Sequence, residues 1–498
     1  MNSKPDNHIE GTDTSGRSVI PVATAVPCFV GFTEKAVNRN NQPVPETLVK
    51  IKSLGDYITI FGAAPPTKFK VTLKEDGTIH VTPNEPYFYL FNSLKLYFAN
   101  GGGDCYIFSV GDYTETSFKS EQFTKKVLKS LETEPEPTLI VMPDAHLIKN
   151  SADYYSIWQE VLPHCKKMIN RFALLDIHNG GDISNISNRD KAAELIQQFR
   201  EHIGTRDLAF GAAYWPWIQA TVLQPNDIGL SNIDNFENLK KDLKKQIDEI
   251  FPPQGETLNT KGEEIKEFIE GVDTTKLDDI EFKPHGILMQ VSPLYKKVLN
   301  NIREAANIMP ASGAMAGIYK YVDNDKGTFQ SPANISVSAV AKPLLTIHDH
   351  DQENLNIPMD GKAINVIRTF PGKGTLVWGA RTMDGNSQDW RYISVRRTVS
   401  MIELSIKYAA EAYVFEPNAS STWSNVQSMI SNFLTNMWQG GALAGTTAAE
   451  AFSVNVGLGS TMTAVDILDG YMNIEVKVAV TRPAEFIVIT FQQQMQAS

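Results

Sequence analysis

The sequence predicts a multi-domain α/β protein with a largely parallel middle sheet and an α+β C-terminal domain. Three observations predict this class. Buried-strand patterns at Cys105–Val110, Thr138–Met142 and Arg171–Ile177 alternate with helical stretches. The last third instead carries two amphipathic helix patterns followed by two strand patterns. The chain has 498 residues, enough for two or three domains.

The composition excludes several classes of function. Apolar residues make up 42% of the chain, and the net charge of -11 disfavours a nucleic-acid binder, which needs a basic face. The three cysteines are too sparse for a disulfide framework, and no CxxC pair is present to hold zinc, which fits folding in a reducing cytosol. No signal peptide and no apolar run of membrane-spanning length is visible. We therefore expect no cofactor, no metal, no nucleic-acid partner and no direct membrane insertion.

The first β-prone run is Val19–Thr33 (VIPVATAVPCFVGFT). Because proline lacks an N–H group, Pro21 and Pro27 predict an edge or irregular strand here. The polar residues before it are either a frayed tail or an arm that orders only on a neighbouring molecule.

Two stretches of the middle domain are predicted to be surface insertions. Residues 63–86 carry a hairpin pattern, with KFKVTL and IHVTP on either side of the turn EDGT. Residues 225–285 are rich in lysine and acidic side chains, which is typical of a solvated segment.

The C-terminal third contains two helix patterns. The first runs from Asp389 to Tyr413, and the second from Ser421 to Met437, each with one apolar stripe. Strands are predicted at roughly 471–480 and 485–492. The second contains the apolar run FIVITF, and a final strand of this kind can pair with a strand from another molecule.

Motifs for catalysis or metal binding are weak. Residues 371–375 (PGKGT) lack the glycine spacing of a phosphate loop and predict a tight turn. His348 and His350 are too few ligands for a metal and predict a polar loop. No GxSxG motif occurs, so a hydrolase is the weaker alternative.

Blocks along nearly the whole chain resemble contractile phage tail sheath proteins. Their order in the sequence is FVGFTEK at 29–35, FANGGGDCYI at 98–107, PASGAMAGIY at 310–319, NVIRTF at 365–370, VWGART at 377–382, DWRYISVRR at 389–397, FEPN at 415–418, GALAG at 441–445 and RPAEF at 482–486. The length and insertions most resemble sheath subunits of extracellular contractile injection systems of the antifeeding-prophage and Photorhabdus virulence-cassette type. Contractile phage and pyocin-type sheaths are the nearest alternatives.

The resemblance implies three regions and a mode of assembly. Residues 1–22 would be an N-terminal arm, residues 23–345 a subtilisin-like α/β domain without protease activity, and residues 346–498 the C-terminal sheath domain. Both ends would add strands to the sheets of neighbouring subunits. The expected strand-exchange residues are Ser18, Val19, Ile20, Val22, Phe486, Ile487, Val488, Ile489 and Phe491.

The resemblance also implies partners. Copies of the chain would form hexameric rings stacked into a helical sheath around an inner tube protein, with baseplate and terminator proteins at the ends and an AAA+ ATPase encoded nearby. The subunit would be made in the bacterial cytoplasm and assembled into a phage-tail-like particle that is retained or released. A basic strip made of Arg391, Arg396, Arg397 and Lys407 is expected to face the tube or a neighbouring subunit, although a solvated helix face is an equal interpretation. A monomeric adaptor or baseplate component is a further alternative.

Overall fold

A computed structural model describes residues 18–37, 40, 42–181, 189–252, 259–274 and 282–485. The chain divides into two compact units: the sheet unit, residues 24–396, and the terminal unit, residues 1–23 and 397–498. The boundary predicted near residue 345 thus falls inside the sheet unit, because strands formed by residues 364–370 and 374–378 pair within its large sheet. The predicted mixed α/β, multi-domain class is confirmed.

The strands were numbered in chain order. They are β1 Pro27–Thr33, β2 Leu48–Ile51, β3 Phe69–Leu73, β4 Ile79–Pro83, β5 Cys105–Asp112, β6 Leu139–Val141, β7 Phe172–Asp176, β8 Gly211–Trp215, β9 Ile218–Ala220, β10 Ile308–Met309, β11 Ile335–Ser336, β12 Val340–Pro343, β13 Ile364–Phe370, β14 Gly374–Trp378, β15 Phe452–Val456 and β16 Ile474–Val478.

The α-helices were numbered in the same way. They are α1 Leu54–Phe61, α2 Leu90–Ala99, α3 Ser120–Thr133, α4 Ser151–Met168, α5 Arg189–His202, α6 Phe236–Ile250, α7 Thr260–Gly271, α8 Phe282–Val291, α9 Pro293–Ala306, α10 Ser312–Asp325, α11 Asp349–Asn356, α12 Ile393–Glu411, α13 Ser420–Gln439, α14 Ala448–Ala451 and α15 Ala464–Leu468. No helix among the described residues has the length and apolar character required to cross a membrane.

A nine-stranded sheet forms the centre of the sheet unit, in the order β11-β14-β13-β8-β7-β6-β1-β5-β2. The six strands from β13 to β5 run parallel, and antiparallel strands flank them on both sides. The prediction that Pro27 confines its run to an edge or irregular strand is wrong, since β1 is central and fully buried. Pro27 is the first residue of β1, one of the positions where a strand tolerates proline.

Two of the glycine-rich blocks meet where helices α2 and α10 cross. A side-chain carbon on Gly313 would lie 2.6 Å from Ser93 O, and one on Gly317 would lie 2.5 Å from Tyr97 O. The backbones of the two helices therefore approach each other directly, a contact that only glycine permits at these two positions.

The two predicted insertions pack together. The hairpin at 63–86 is confirmed as β3 and β4, and its apolar side chains share one hydrophobic cluster with helices α6, α7 and α9. The side chain of Asn235 extends the hairpin, because its Oδ1 accepts from Val71 N–H at 2.8 Å and its Nδ2 donates to Val71 O at 2.7 Å. Two segments far apart in sequence thus form one lobe with its own core.

The terminal unit is built on two helices and a two-stranded antiparallel sheet. Its hydrophobic cluster is formed by Ile402 and Ile406 of α12, Val426 and Ile430 of α13, and Val454 of β15, among others. These helices confirm the two amphipathic patterns that the sequence predicted for the C-terminal third.

The crossing of α2 and α10 gives a matched test. Gly317→Ala should lower the free energy of unfolding by about 1–3 kcal/mol, because the added carbon forces the helices apart. Gly286→Ala in α8 is the control, since nothing lies within 4 Å of the added carbon. It should be neutral or stabilising by up to about 1 kcal/mol, the preference of a helix for alanine. Urea unfolding followed by circular dichroism measures both, and equal midpoints for the two variants would contradict the packing account.

Candidate functional site

The carboxyl edge of the parallel strands is where open α/β sheets usually bind ligands. The strand order reverses at β1, which has β5 on one side and β6 on the other, and such a reversal opens a crevice above the sheet. In this chain the crevice holds the protein's own side chains.

Asp144, just after β6, lies buried at this reversal. Its Oδ2 accepts from Phe32 N–H at 2.8 Å, and its Oδ1 accepts from the N–H groups of Tyr89 at 2.6 Å and Leu90 at 3.0 Å. A side-chain carbon on Gly31 would lie 2.5 Å from Oδ2. Burial raises the pKa of Asp144 to about 6, and the three N–H donors oppose that rise. The carboxyl group thus occupies the start of α2, where a helix can bind an anion.

Asp176, the last residue of β7, makes the same contact with a second helix. Its Oδ1 accepts from the N–H groups of Ala311 at 2.7 Å and Ser312 at 3.0 Å, at the start of α10. Burial raises the pKa of Asp176 to about 7, and its hydrogen bonds with Ser312 and Ala311 oppose the rise.

Aromatic rings fill the rest of this edge. The His146 ring lies 4.8 Å from that of Tyr154 and 4.7 Å from that of Trp217, and the Tyr154 ring lies 4.5 Å from that of His178. Burial lowers the pKa of His178 to about 4, although its hydrogen bond to Ile148 O at 2.7 Å opposes this, and burial holds the pKa of His146 well below its usual range. The acids and imidazoles here are engaged in packing and backbone contacts, an arrangement that supports a structural role for the edge.

The other motifs are structural as well. Residues 371–373 form the turn between β13 and β14, as the sequence predicted. His348 precedes α11 and His350 belongs to it, so this stretch is not the predicted loop. Among the described residues, no group of three or more histidine, cysteine, aspartate or glutamate side chains is arranged to hold a metal ion.

Most of the predicted basic strip is used inside the molecule. The Arg396 guanidinium is buried between the rings of Trp390, at 4.1 Å, and Phe210, at 4.8 Å. Arg391 Nε donates to Ser387 O at 2.9 Å, and Arg397 is buried. Of the four residues, Lys407 alone is exposed. Periodicity identified these positions as one helical region but could not show that aromatic rings cover them.

The open edge of β16 is the feature of the terminal unit with the clearest capacity for assembly. On one side this strand pairs with β15, and Ala479 just after it donates to Ala451 O at 2.8 Å and accepts from Ala444 N–H at 2.7 Å. Because backbone groups alternate in direction along a strand, the even-numbered residues from 474 to 480 direct theirs to the opposite side. No strand pairs with that side in the part of the chain that the structure describes.

The outer side of β15 differs from that of β16 in one contact. Gln427 of α13 donates from Nε2 to Val454 O at 2.8 Å, which occupies a carbonyl group in the middle of that strand. A strand added there would have to displace this hydrogen bond, so the β16 edge is the more accessible of the two among the described residues.

The predicted strand-exchange residues fall into two groups. Val19 is buried in the hydrophobic cluster of its own terminal unit, and Val22 N–H donates to Ser405 Oγ of α12 at 3.0 Å. Ser18 is exposed, and so is Ile20, with 77% of its surface accessible; residues 18–23 form no strand. The predicted residues from Phe486 to Phe491, like the strand expected at 485–492, lie outside the described residues except for Glu485.

Comparisons with known proteins agree with this architecture. Residues 386–494 match the phage tail sheath C-terminal domain family. The tail sheath protein of Burkholderia phage BcepMu is 27% identical over 154 residues, which cover 30% of this chain and 32% of that protein. The match thus spans about a third of the length of this curated relative.

Solved sheath structures are similar over the whole chain. The sheath complex of an extracellular contractile injection system, PVC, in its contracted state has 27% identity and a TM-score of 0.61, and the alignment covers 99% of this chain and 98% of that one. The contracted helical sheath of the anti-feeding prophage has 26% identity and a TM-score of 0.63, with 99% and 100% covered.

The fold and these similarities point to the class of contractile tail sheath proteins. Residues 386–494 belong to the phage tail sheath C-terminal domain family, and along its full length the chain is similar to the sheath subunits of extracellular contractile injection systems.

The buried carboxyl group of Asp176 predicts a pH dependence. Between its ordinary pKa of 3.8 and the folded value of about 7, the unfolded chain loses this proton before the folded chain does, so the contribution of Asp176 to stability falls as the pH rises. Asp176→Asn keeps an oxygen for the Ala311 and Ser312 N–H groups but cannot ionise. Relative to this variant, the wild type should lose about 4 kcal/mol between pH 4 and pH 7, at about 1.4 kcal/mol for each tenfold change in proton affinity.

Urea unfolding of both proteins across this pH range measures the difference. The contributions of His146 and His178 have the opposite sign, since burial lowers their pKa values, but they cancel in the comparison because both proteins retain them. A difference that stays constant with pH would contradict the assignment.

Proposed function

We propose that this chain is the sheath subunit of a contractile injection system. Copies of it polymerise as stacked hexameric rings around an inner tube, and contraction of the sheath drives the tube into a target cell. The single observation that carries the proposal is the open edge of β16 in a chain that is similar throughout to subunits of assembled sheaths.

The open edge supports self-assembly on physical grounds. Unpaired N–H and C=O groups along a strand favour the addition of another strand. The segment from Phe486 to Phe491 (FIVITF) has the apolar, β-branched composition of such a strand. In the proposed lattice it is the strand that one subunit donates, and the β16 edge of the next subunit accepts it.

We assign the start of the N-terminal arm a different role from that of the donated strand. The contacts of Val19 and Val22 fix this segment to its own subunit. Ser18, just before the first anchor, and Ile20, between the two anchors, are exposed and are the positions from which the arm would contact a neighbour.

The proposed mechanism is mechanical. The extended sheath is metastable, and in contraction each subunit turns outward as a nearly rigid body while the exchanged strands keep the lattice connected. The contracted lattice must have the lower free energy, because only a difference between two states can drive the change without a nucleotide. Small gains for each subunit then add up along the sheath.

The proposed function implies further partners in the particle. They are the inner tube protein, baseplate and terminator proteins, and an AAA+ ATPase encoded nearby. The subunit is made in the bacterial cytoplasm and becomes part of a phage-tail-like particle. A phage or pyocin-type tail is the second candidate particle, favoured by the similarity to a phage tail sheath protein, and it gives the subunit the same task.

Substitution by proline can test the β16 edge without unfolding the hairpin. Val476→Pro removes an N–H group that faces away from β15, so the monomer should fold and fail to polymerise. Lys477→Pro removes an N–H group directed toward Ser453 of β15 and should disrupt the terminal unit instead. Val476→Ala keeps the N–H group, loses a similar amount of apolar surface, and should still polymerise.

Sedimentation and negative-stain microscopy report polymerisation in these variants, and circular dichroism reports folding. Normal tubes from Val476→Pro would sink the proposal that this edge accepts a strand.

Mixing two defective variants tests donor and acceptor separately. A chain that lacks residues 486–498 keeps its β16 edge but has no strand to donate, whereas Val476→Pro has the reverse defect. Each variant alone should stay monomeric, and an equimolar mixture should form pairs but no longer polymers, as analytical ultracentrifugation would show. Long polymers from the truncated chain alone would contradict the assigned donor.

A further inference from the structure

The exposed apolar surface of this chain is concentrated in its smaller unit. Among the described residues, eight of the fourteen large apolar side chains that are exposed lie in the terminal unit. Soluble proteins rarely leave such surface contiguous unless it binds something. Six of the eight belong to two short segments, which we call the apolar tip: Val414, Phe415, Leu458, Val465, Leu468 and Tyr471.

The two segments of the apolar tip are fastened to each other. Asn418, just after the end of α12, donates from Nδ2 to Tyr471 O at 2.9 Å, and Trp423 Nε1 donates to Asn418 Oδ1 at 2.7 Å. The Trp423 ring in turn lies 3.7 Å from the position of a side-chain carbon on Gly457. The turn after α12 and the segment around α15 therefore lie at the same end of the terminal unit.

The backbone of the apolar tip is strained at Phe415. Phe415 has φ of 71°, in the left-handed region that a bulky side chain rarely adopts, and its ring is fully exposed. The turn is closed by Val414 N–H donating to Glu411 O and Glu416 N–H donating to Tyr413 O. Strain that presents an aromatic ring to solvent is a feature of binding sites.

Charge indicates the kind of partner. The two segments, residues 411–418 and 457–473, contain four carboxylates, which are Glu411, Glu416, Asp466 and Asp469, and no lysine, arginine or histidine. Lys407, one turn of α12 before Glu411, is exposed, so the rim of the apolar tip is predominantly acidic. Nucleic acid and acidic lipid surfaces would be repelled by it, whereas a protein surface with a basic rim would be attracted.

We propose that the apolar tip is the docking surface for another protein of the particle, whose matching surface has an apolar centre surrounded by lysine and arginine side chains. The proposed docking surface is therefore acidic, whereas the sequence predicted a basic one. The arginines of that predicted basic strip make contacts within the molecule instead. The inference rests on the proposed function only in taking its partner from the same particle, since the β16 edge binds copies of this chain through a separate surface.

Photo-cross-linking in the assembled particle tests the inference. With p-benzoylphenylalanine in place of Phe415, the cross-link should join a different protein of the particle, at apolar residues flanked by lysine or arginine, as peptide mass spectrometry would show. The same group in place of Met359, which is fully exposed in the sheet unit, is the matched control and should give no such product. Glu411→Lys with Asp469→Lys should lower the cross-link yield about tenfold, because the charge of the two segments would fall from -4 to zero and the attraction to a basic partner would be lost.

The outcomes separate this inference from the proposed function. Polymerisation of each variant is followed by sedimentation, and it should be unchanged because the β16 edge is intact. A cross-link to another copy of this chain, no cross-link at all, or a yield that the charge reversal leaves unchanged would each overturn the docking surface. Loss of polymerisation in the charge-reversed variant would also overturn it, since the tip would then belong to the interface between copies.

Discussion

The proposed assembly of this chain depends on one unfilled hydrogen-bonding edge. The backbone groups on the outer side of β16 meet no strand among the described residues, while Gln427 of α13 binds a carbonyl group on the outer side of β15. A monomer leaves those groups to water, whereas an added strand pairs them and extends the sheet. Pairing at this edge thus favours assembly, and the position of the edge determines where the next subunit binds.

In the sheet unit, by contrast, the protein's own side chains fill the edge where a ligand could bind. At the carboxyl edge of its parallel strands, Asp144 and Asp176 bind the N–H groups at the starts of α2 and α10, where related architectures hold ligands. Stacked rings of His146, Tyr154 and His178 occupy the remaining space. The crevice that other α/β proteins use for catalysis is thus filled by the protein's own side chains. This filling favours a rigid unit, as the transmission of force requires.

The sequence predicted the features that depend on local pattern. Alternation and periodicity located β5, β6, β7 and the two long helices of the terminal unit, and the hairpin turn located β3 and β4. It did not predict features that depend on distant contacts. Pro27 predicted an edge or irregular strand because a local pattern does not show that this proline is the first residue of β1. Arg396 was predicted to face a partner because nothing local indicates the ring of Phe210. The carboxylates of Asp144 and Asp176 were missed for the same reason, although Asp144 closely follows one predicted buried strand and Asp176 lies near the end of another.

Hydrogen exchange at β16 tests the central claim most directly. In the monomer, the amide protons of Val476 and Val478 should exchange rapidly and those of Glu475 and Lys477 slowly, because only the latter pair with β15. On polymerisation the first two should become protected while the others change little. Protection of Val476 and Val478 already in the monomer, or their continued rapid exchange in the polymer, would contradict the account.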